Sequence, residues 1–331
     1  MNKVSIFTFK VLRKIYAKAF SVKPLSRPKC IPDPDIAAKL IYDSLMSDKP
    51  CMIARFGATE LMTMVNYLGV HRKGRRNILK YIQGQELDWW WNNNCLRQME
   101  QWSGFFPPTV EKIEQFCELM MDDMNEVDIL GSWLSNERHF ESKLKNSAFV
   151  QLLLLEPYLS KKNTWTKALE NKKVLTVHPF AALIESQYNE NRTKLFENSG
   201  ILPDFKLQTI EAVQSLGGEN NGFADWFEAL DRMKREIDKR DYDICLIGCG
   251  AYGFPLAAHV KRQGKKAIHL GGALQLLFGI KGKRWEDPNY GVTQWNIPYG
   301  FYTSMMNEYW IRPGENLKPK NADKVEGSCY W

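Results

Sequence analysis

The sequence predicts an α/β protein built on a doubly wound, mostly parallel sheet with flanking helices. Short apolar runs alternate with longer stretches of helical periodicity, and such alternation is typical of parallel sheets. The clearest run, residues 244–247, is continuously apolar, as in a strand that is buried on both faces. We predict about six strands, at residues 51–56, 127–133, 173–178, 205–212, 244–247 and 267–270.

Helices are predicted between these strands, at residues 35–47, 59–68, 180–196, 223–239 and 254–263. Residues 77–126 also have a helical pattern and are rich in tryptophan. Tryptophan rings stack on sugars, but they more often pack inside a core, so both interpretations of this stretch stay open.

Size and composition indicate one globular core with appendages. The chain has 331 residues, of which 44% are apolar and 25% are charged. Its seven cysteines include no C-x-x-C pair, which favours free thiols in a reducing cytoplasm over disulfides or a zinc site. No apolar stretch approaches the roughly 18 to 20 residues of a membrane span.

The net charge of +7 belongs to the start of the chain. Residues 1–32 contain eight lysines and arginines and no acidic residue, and the rest of the chain is close to neutral. A neutral domain offers no basic groove, so we expect no nucleic-acid partner.

Residues 1–34 are predicted to form a basic amphipathic helix followed by a proline-rich linker, and residues 35–331 a single domain. Apolar side chains recur at helical spacing, with lysines and arginines over much of the other face; the apolar set is Phe9, Leu12, Ile15, Tyr16 and Phe20. This composition suits an anionic membrane surface, bound through residues 1–29. The alternative is a helix that packs on its own domain or a partly disordered leader.

The strand at 244–247 leads into a glycine turn. Gly248, Gly250 and Gly253 have G-x-G-x-x-G spacing, with Tyr252 inside the turn. Such a turn brings backbone N–H groups to a phosphate at a helix start, although the same glycines also occur for tight packing alone. An NAD or S-adenosylmethionine site needs an acidic residue after the next strand. That place holds His269 and the pair Gly271 and Gly272, which argues against both cofactors.

Other candidate residues follow the ends of neighbouring strands. Arg55, Gly57 and Glu60 span a strand-to-helix turn, where open α/β sheets bind ligands, although Glu60 also suits a helix start on its own. His178 follows a third strand, where it is either a ligand contact or a hydrogen-bonded structural residue. The cations Lys283 and Arg284 either meet a phosphate or lie in a solvated loop.

Three segments carry a family resemblance: RFGATEL (55–61), VLTVHPFAALIESQY, and IGCGAYGFPLAAHVKRQGKKAIHLGG. Together they resemble the GT-D-type glycosyltransferase family of bacterial surface-polysaccharide pathways, over roughly residues 35–331. The resemblance implies one Rossmann-like domain that moves a hexose from a nucleoside-diphosphate sugar to a lipid-linked or glycan acceptor. It also implies a D-x-E motif that holds Mn²⁺ or Mg²⁺ on the diphosphate.

The chain departs from that motif because Ala58 replaces the first acid, while Glu60 matches the second. Two outcomes follow. Either the diphosphate and Glu60 hold the metal together, or the cations Arg55, Lys283 and Arg284 do its work on the leaving group.

We therefore expect a cytoplasmic glycosyltransferase, peripheral on the inner leaflet of the membrane. The predicted catalytic residues are Glu60 and His178, with Glu60 as the metal ligand, and the other candidates bind the nucleotide sugar. Two alternatives stay open: an inactive relative that acts as an assembly partner, and a nucleotide-binding oxidoreductase or methyltransferase.

Overall fold

The computed structural model describes residues 2–162, 164–215, 222–319, 322 and 328–331. Within these residues, seven parallel strands form one sheet, which confirms the predicted α/β fold class. The strands are β1 (Cys51–Ala54), β2 (Ile129–Ser132), β3 (Ala148–Gln151), β4 (Lys173–His178), β5 (Lys206–Glu211), β6 (Ile244–Ile247) and β7 (Lys266–His269). Their order across the sheet is β3-β2-β1-β7-β6-β4-β5.

Helices cover both faces of the sheet. In the described part of the chain they are α1 (Lys3–Ala19), α2 (Pro34–Met46), α3 (Ala58–His71), α4 (Ile78–Ile82), α5 (Asn93–Ser103), α6 (Val110–Asp123), α7 (Ala181–Asn191), α8 (Trp226–Asp238), α9 (Gly253–Arg262), α10 (Leu274–Leu277), α11 (Lys283–Glu286) and α12 (Val292–Trp295). Capping side chains define several starts: Asp33 accepts a hydrogen bond from Ile36 N, and Asp225 accepts one from Glu228 N.

The strand order brings four strand ends together at the centre of the sheet. β1 lies beside β7, β7 beside β6, and β6 beside β4. The pairing of Ile247 with His269 places the ends of β6 and β7 side by side. All these strands run in the same direction, so the loops that follow them share one edge of the sheet, where α/β proteins bind ligands.

Side chains alternate between two apolar layers along the strands. On β1, Ile53 belongs to the apolar layer that includes side chains of α2 and α7, whereas Met52 and Ala54 belong to the layer that includes side chains of α3, α6, α8 and α9. Both faces of the central strands are buried, so their sequences are continuous apolar runs. These runs allowed the strands to be predicted.

Most predicted elements are present, with two differences. Strand β3 was not predicted, because AFVQ is a short, half-buried edge strand with a weak signal. The helical stretch 77–126 is three separate helices, α4, α5 and α6, joined by loops. In the loop before α5, Trp89 and Trp90 pack on each other and on Tyr81, so these two rings serve packing.

Helix α1 is present and lies against the domain. The Phe9 ring centroid lies 6.4 Å from that of Trp89, and the Arg13 guanidinium lies 4.7 Å from the Tyr81 ring centroid. Lys10 and Arg13 also approach Asp88, so these two cations face the domain rather than an opposite, solvated face. The predicted division of the helix into an apolar and a basic face is therefore wrong at these positions.

The other side of α1 carries a second apolar stripe. Val4, Phe7 and Ile15 are 73%, 70% and 59% exposed, and Val11 lies between them on the same side. In the described residues, no helix combines the length and apolar content that crossing a bilayer requires.

Candidate active site

A cleft of about 190 Å³ opens at the carboxyl ends of β1, β4, β6 and β7. It brings together most of the residues predicted from sequence, although they come from separate parts of the chain. Predicted residues that line it are Arg55, Gly57, Glu60, His178, Gly248, Gly250, Tyr252, His269, Gly271, Gly272 and Arg284. Gly253 and Lys283 do not line it.

The three glycines after β6 have different roles. A Cβ atom on Gly248 would lie 2.7 Å from the Gly271 carbonyl oxygen, and one on Gly253 would lie 2.2 Å from His269 Cε1. These two glycines allow close packing, so Gly253 serves the helix-sheet contact. Gly250 has a φ of +57°, and the nearest atom to its ideal Cβ, among the described residues other than its chain neighbours, is the Ser103 carbonyl oxygen at 3.8 Å. Gly250 is exposed and lines the cleft. Gly250 is therefore the member of the set that a ligand can approach.

Tyr252 forms part of the cleft floor. Its ring stacks on Trp226 with centroids 4.9 Å apart and planes 7° apart. Its hydroxyl lies 3.0 Å from Ser215 Oγ, and Ser215 donates to the carbonyl of Gly104. The buried ring holds the turn on the core, and α9 begins at the next residue.

Arg55 follows β1 and points across the cleft floor. Its guanidinium lies 5.3 Å from the Trp133 ring centroid, and its Nη1 lies 3.6 Å from the ideal Cβ position of Gly271. Burial lowers the pKa of this guanidinium, with Tyr330 and Glu60 opposing that shift. Among the described residues, no carboxylate lies within ion-pair distance of Arg55.

Glu60 lies in the first turn of α3 and is 8% exposed. Its carboxylate folds back over the start of its own helix and occupies the space beside Gly57. A Cβ on Gly57 would lie 1.7 Å from Glu60 Oε2. This glycine thus makes room for the acid. Glu60 is the one carboxylate among the described lining residues.

These residues do not fit a metal ion held by the protein. Ala58 supplies no ligand, and no group of three or more His, Cys, Asp or Glu side chains in the described residues has metal-binding geometry. A single carboxylate is a poor Mg²⁺ or Mn²⁺ site, because both ions need several oxygen ligands.

Two buried histidines, His178 and His269, lie beside the cleft. His178 Nδ1 accepts a hydrogen bond from Phe180 N at 3.0 Å, so its neutral ring carries the proton on Nε2. His269 Nδ1 lies 3.4 Å from the Ile247 carbonyl oxygen. Burial lowers the pKa of each ring to about 3. Both rings are therefore neutral near pH 7, and His178 is suited to donate a hydrogen bond rather than to accept a proton.

Arg284 and a segment far along the chain close one side of the cleft. The Arg284 guanidinium lies 5.0 Å from the Tyr330 ring centroid, and its Nη2 donates to Cys329 Sγ at 3.0 Å. Tyr330 and Trp331 both line the cleft. Lys283 is exposed, and its backbone N–H donates to the Trp331 carbonyl oxygen.

Sequence reasoning missed Trp133, Tyr330 and Trp331. Trp133 directly follows β2, so its place at a strand end was an available signal. Tyr330 and Trp331 carry no local signal, because only the fold brings them to the cleft.

The comparison with family models agrees with the expected family. A model of the GT-D fold-like domain matches residues 34–277. One solved structure is described as "the highly conserved domain of unknown function 1792 has a distinct glycosyltransferase fold"; it is 13% identical, with 91% of this chain and 100% of that chain covered and a TM-score of 0.38. A selenomethionine structure of domain of unknown function 1792 is 12% identical over 92% of this chain and 99% of that chain, also with a TM-score of 0.38. No curated protein matches.

The family match covers most of the folded domain, from the start of α2 to the end of α10. It includes the turns that hold Arg55, Glu60, His178, Gly250 and His269. The chain therefore belongs to the family of GT-D fold-like domains.

Proposed function

We propose that this protein is a glycosyltransferase that moves a hexose from a nucleoside-diphosphate sugar to a growing bacterial surface glycan. The observation that carries the proposal is Arg55, a cation that faces a cleft between glycine turns without a carboxylate partner in the described residues. A positive group in such a cleft favours an anionic ligand, and the donor diphosphate supplies two phosphates.

The reaction is a substitution at the anomeric carbon of the donor sugar. The bond from this carbon to the diphosphate oxygen breaks, and the nucleoside diphosphate leaves with the electron pair. A bond forms from the same carbon to the acceptor hydroxyl oxygen, whose proton passes to a base. The leaving group gains negative charge, so its stabilisation by fixed cations and hydrogen-bond donors is the largest demand.

We assign roles in this scheme to three residues. Glu60 would orient sugar hydroxyls or accept the acceptor proton. His178, with its proton on Nε2, donates a hydrogen bond. Gly250 lets the donor approach the backbone of the turn.

A ligand screen tests this proposal. Thermal unfolding is measured with UDP-, GDP- and dTDP-sugars, NAD and S-adenosylmethionine, each with and without Mn²⁺. We expect one nucleotide sugar to raise the Tm and the other two ligands to leave it unchanged. A rise with NAD or S-adenosylmethionine alone would instead favour an oxidoreductase or a methyltransferase.

An inactive relative that acts as an assembly partner is the second candidate, because Ala58 removes the first acid of the family motif. Transfer of radiolabelled sugar from the ligand found in the screen separates the two. Binding without transfer to any glycan or lipid-linked acceptor would favour the assembly role.

We also propose that α1 rests on an anionic cytoplasmic leaflet. Its exposed stripe of Val4, Phe7, Val11 and Ile15 supplies apolar area, and Lys14 and Lys18 are exposed on the same helix. Each cation near such a surface contributes roughly 1 kcal/mol at low salt. Binding to phosphatidylglycerol vesicles should therefore weaken as salt rises.

Matched variants locate the membrane contact. Phe7→Ser should weaken vesicle binding, whereas Met62→Ser, on an exposed part of α3, should leave it unchanged. Deletion of residues 1–29 should abolish it and leave a folded domain. Equal vesicle binding by wild type and the deletion would contradict the proposal.

A further inference from the structure

Three side chains from distant parts of the chain meet above the turn after β7. Arg55 comes from the end of β1, Arg284 from α11, and Tyr330 from the segment Ser328–Trp331. All three line the cleft. None of the three is near another in sequence, so the fold alone builds this cluster.

The floor of the cluster is the pair Gly271 and Gly272. A Cβ on Gly271 would lie 3.6 Å from Arg55 Nη1, and one on Gly272 would lie 2.2 Å from Tyr330 Cε1. Gly271 also has a φ of +62°. Because neither glycine has a side chain, the Arg55 guanidinium and the Tyr330 ring can lie on adjacent positions of this turn. A side chain on Gly272 would displace the Tyr330 ring.

Several contacts fix Tyr330 and Arg284 in place. Gln275 Nε2 donates to the Tyr330 carbonyl oxygen at 3.2 Å, and Arg284 N donates to the Cys329 carbonyl oxygen at 3.1 Å. The Arg284 guanidinium lies over the rings of Tyr290 and Trp285 as well as Tyr330. The cluster is thus held before any ligand arrives, which reduces the entropy lost on binding.

The charges in the cluster favour an anion. Arg284 is close enough to Arg55 to lower the pKa of Arg55, although burial is the larger cause. Two like charges in a partly dehydrated cleft repel each other, and Glu60, on the same cleft, favours the charged form of Arg55. The described lining residues thus include two arginines and one carboxylate. Planar guanidinium groups bind phosphate oxygens with paired hydrogen bonds, which makes a diphosphate the matching ligand.

We propose that Arg55, Arg284 and Tyr330 form the binding site for the donor diphosphate, and that these arginines replace the protein-held metal ion of the D-x-E motif. The proposal rests on the proposed function, since it assigns the leaving group of that reaction. The two cations neutralise the charge that develops on the diphosphate oxygen as the bond to the sugar breaks. The segment Ser328–Trp331 is thereby part of the site.

Calorimetric titration with inorganic pyrophosphate tests this site without knowledge of the base or the sugar. Pyrophosphate is titrated into the full chain in EDTA and then with Mn²⁺. The variants are Arg55→Met, Arg284→Met and Tyr330→Phe, and the matched control is Arg235→Met, an exposed arginine on α8. Circular dichroism checks that each variant is folded.

We expect binding in EDTA, and a loss of about 10-fold or more in affinity for each arginine variant, as for a hydrogen bond to a charged group. Tyr330→Phe tests the hydroxyl, with a smaller loss expected, and the control should match wild type. Should Arg284→Met fail to fold, Arg55→Met and Tyr330→Phe still decide the result. No binding in EDTA, or unchanged affinity in every arginine variant that folds, would overturn the proposal.

The outcome is separable from that of the proposed function. Pyrophosphate binding that depends on the arginines, without sugar transfer, would support the anion site and count against the transferase. Sugar transfer that needs Mn²⁺ and is unaffected in Arg55→Met and Arg284→Met would support the transferase and remove the anion site.

Discussion

The two ends of helix α9 hold arginines in opposite ways. At its carboxyl end, Arg262 pairs with three acidic residues: Asp123, Asp122 and Glu126. At its amino end, the cleft holds Arg55 against the ring of Trp133, and no carboxylate in the described residues pairs with it. The first arginine is neutralised by the fold. The second has no carboxylate at ion-pair distance in the described residues, although Glu60 on the same cleft favours its charged form.

Asp123 explains the role of the ion pairs at the carboxyl end of α9. Its side chain is fully buried, and burial raises its pKa to about 6 although Arg262 opposes this shift. A buried carboxylate without its cation would be strongly unfavourable. The network around Arg262 therefore stabilises the domain, whereas a stability role does not account for Arg55.

Substitution of the two arginines should change stability in opposite ways. Arg262→Met should lower the free energy of unfolding by about 2 to 4 kcal/mol, because Asp123 stays buried without its cation; partial exposure of Arg262 reduces the full value. Arg55→Met should leave the free energy of unfolding unchanged or raise it. Urea unfolding of both variants and wild type measures this, and equal losses in the two variants would break the comparison.

The strand ends of this site were predictable, but the completed cluster was not. Arg55, Glu60, His178 and Gly250 follow apolar runs, and parallel strands bring such positions to one edge of the sheet. The roles of the glycines could not be separated, since G-x-G-x-x-G spacing fits close packing and phosphate binding equally. Gly253 packs on His269, a contact between two strand-turn units that no single segment encodes.

The faces of α1 and the position of the Tyr330 ring also could not be predicted from the sequence. Periodicity located the helix, but its two apolar sides could not be assigned until Trp89 and Asp88 were placed beside it. Tyr330 reaches the cleft through long-range contacts with Gln275 and Gly272.

Glu156 is a partly buried acid that has no cation within ion-pair distance among the described residues. Glu156 accepts a hydrogen bond from the Tyr302 hydroxyl at 2.9 Å, and burial raises its pKa to about 8. Its folded-state pKa is above the unfolded value, so its stabilising effect is complete below about pH 4.5 and is lost as pH rises towards 8.

The substitution Glu156→Gln should remove the loss of stability that ionisation of Glu156 causes as pH rises. The free energy of unfolding of the variant, relative to wild type, should rise by up to about 1.4 kcal/mol for each pH unit between 4.5 and 8. Guanidinium unfolding of both proteins at pH 5, 6, 7 and 8 measures it, and contributions from the buried histidines cancel in the difference. Parallel curves for the two proteins would contradict the assignment of Glu156.

Substitutions of two glycines in the turn after β6 should have different effects. Gly253→Ala should cost about 1 to 3 kcal/mol, because the added Cβ forces the His269 ring to move. Gly250→Val should keep a near-normal far-UV circular dichroism spectrum but lower the Tm, because valine is strained at a φ of +57°. It should also lose donor binding, because its side chain enters the cleft. Thermal unfolding and donor titration of both variants make the test, and unchanged donor affinity in Gly250→Val would remove the turn from the site.

Hydrogen exchange measured by mass spectrometry can show whether a donor binds at the cleft, because it reports on both ends of α9 at once. The nucleotide sugar identified in the screen is added at saturation, and amide exchange is compared with that of the free protein. We predict slower exchange in peptides that cover residues 55–60, 248–252, 269–272 and 328–331, and no change around Arg262 and residues 122–126. Equal protection at both ends of α9, or none at the cleft, would contradict the account.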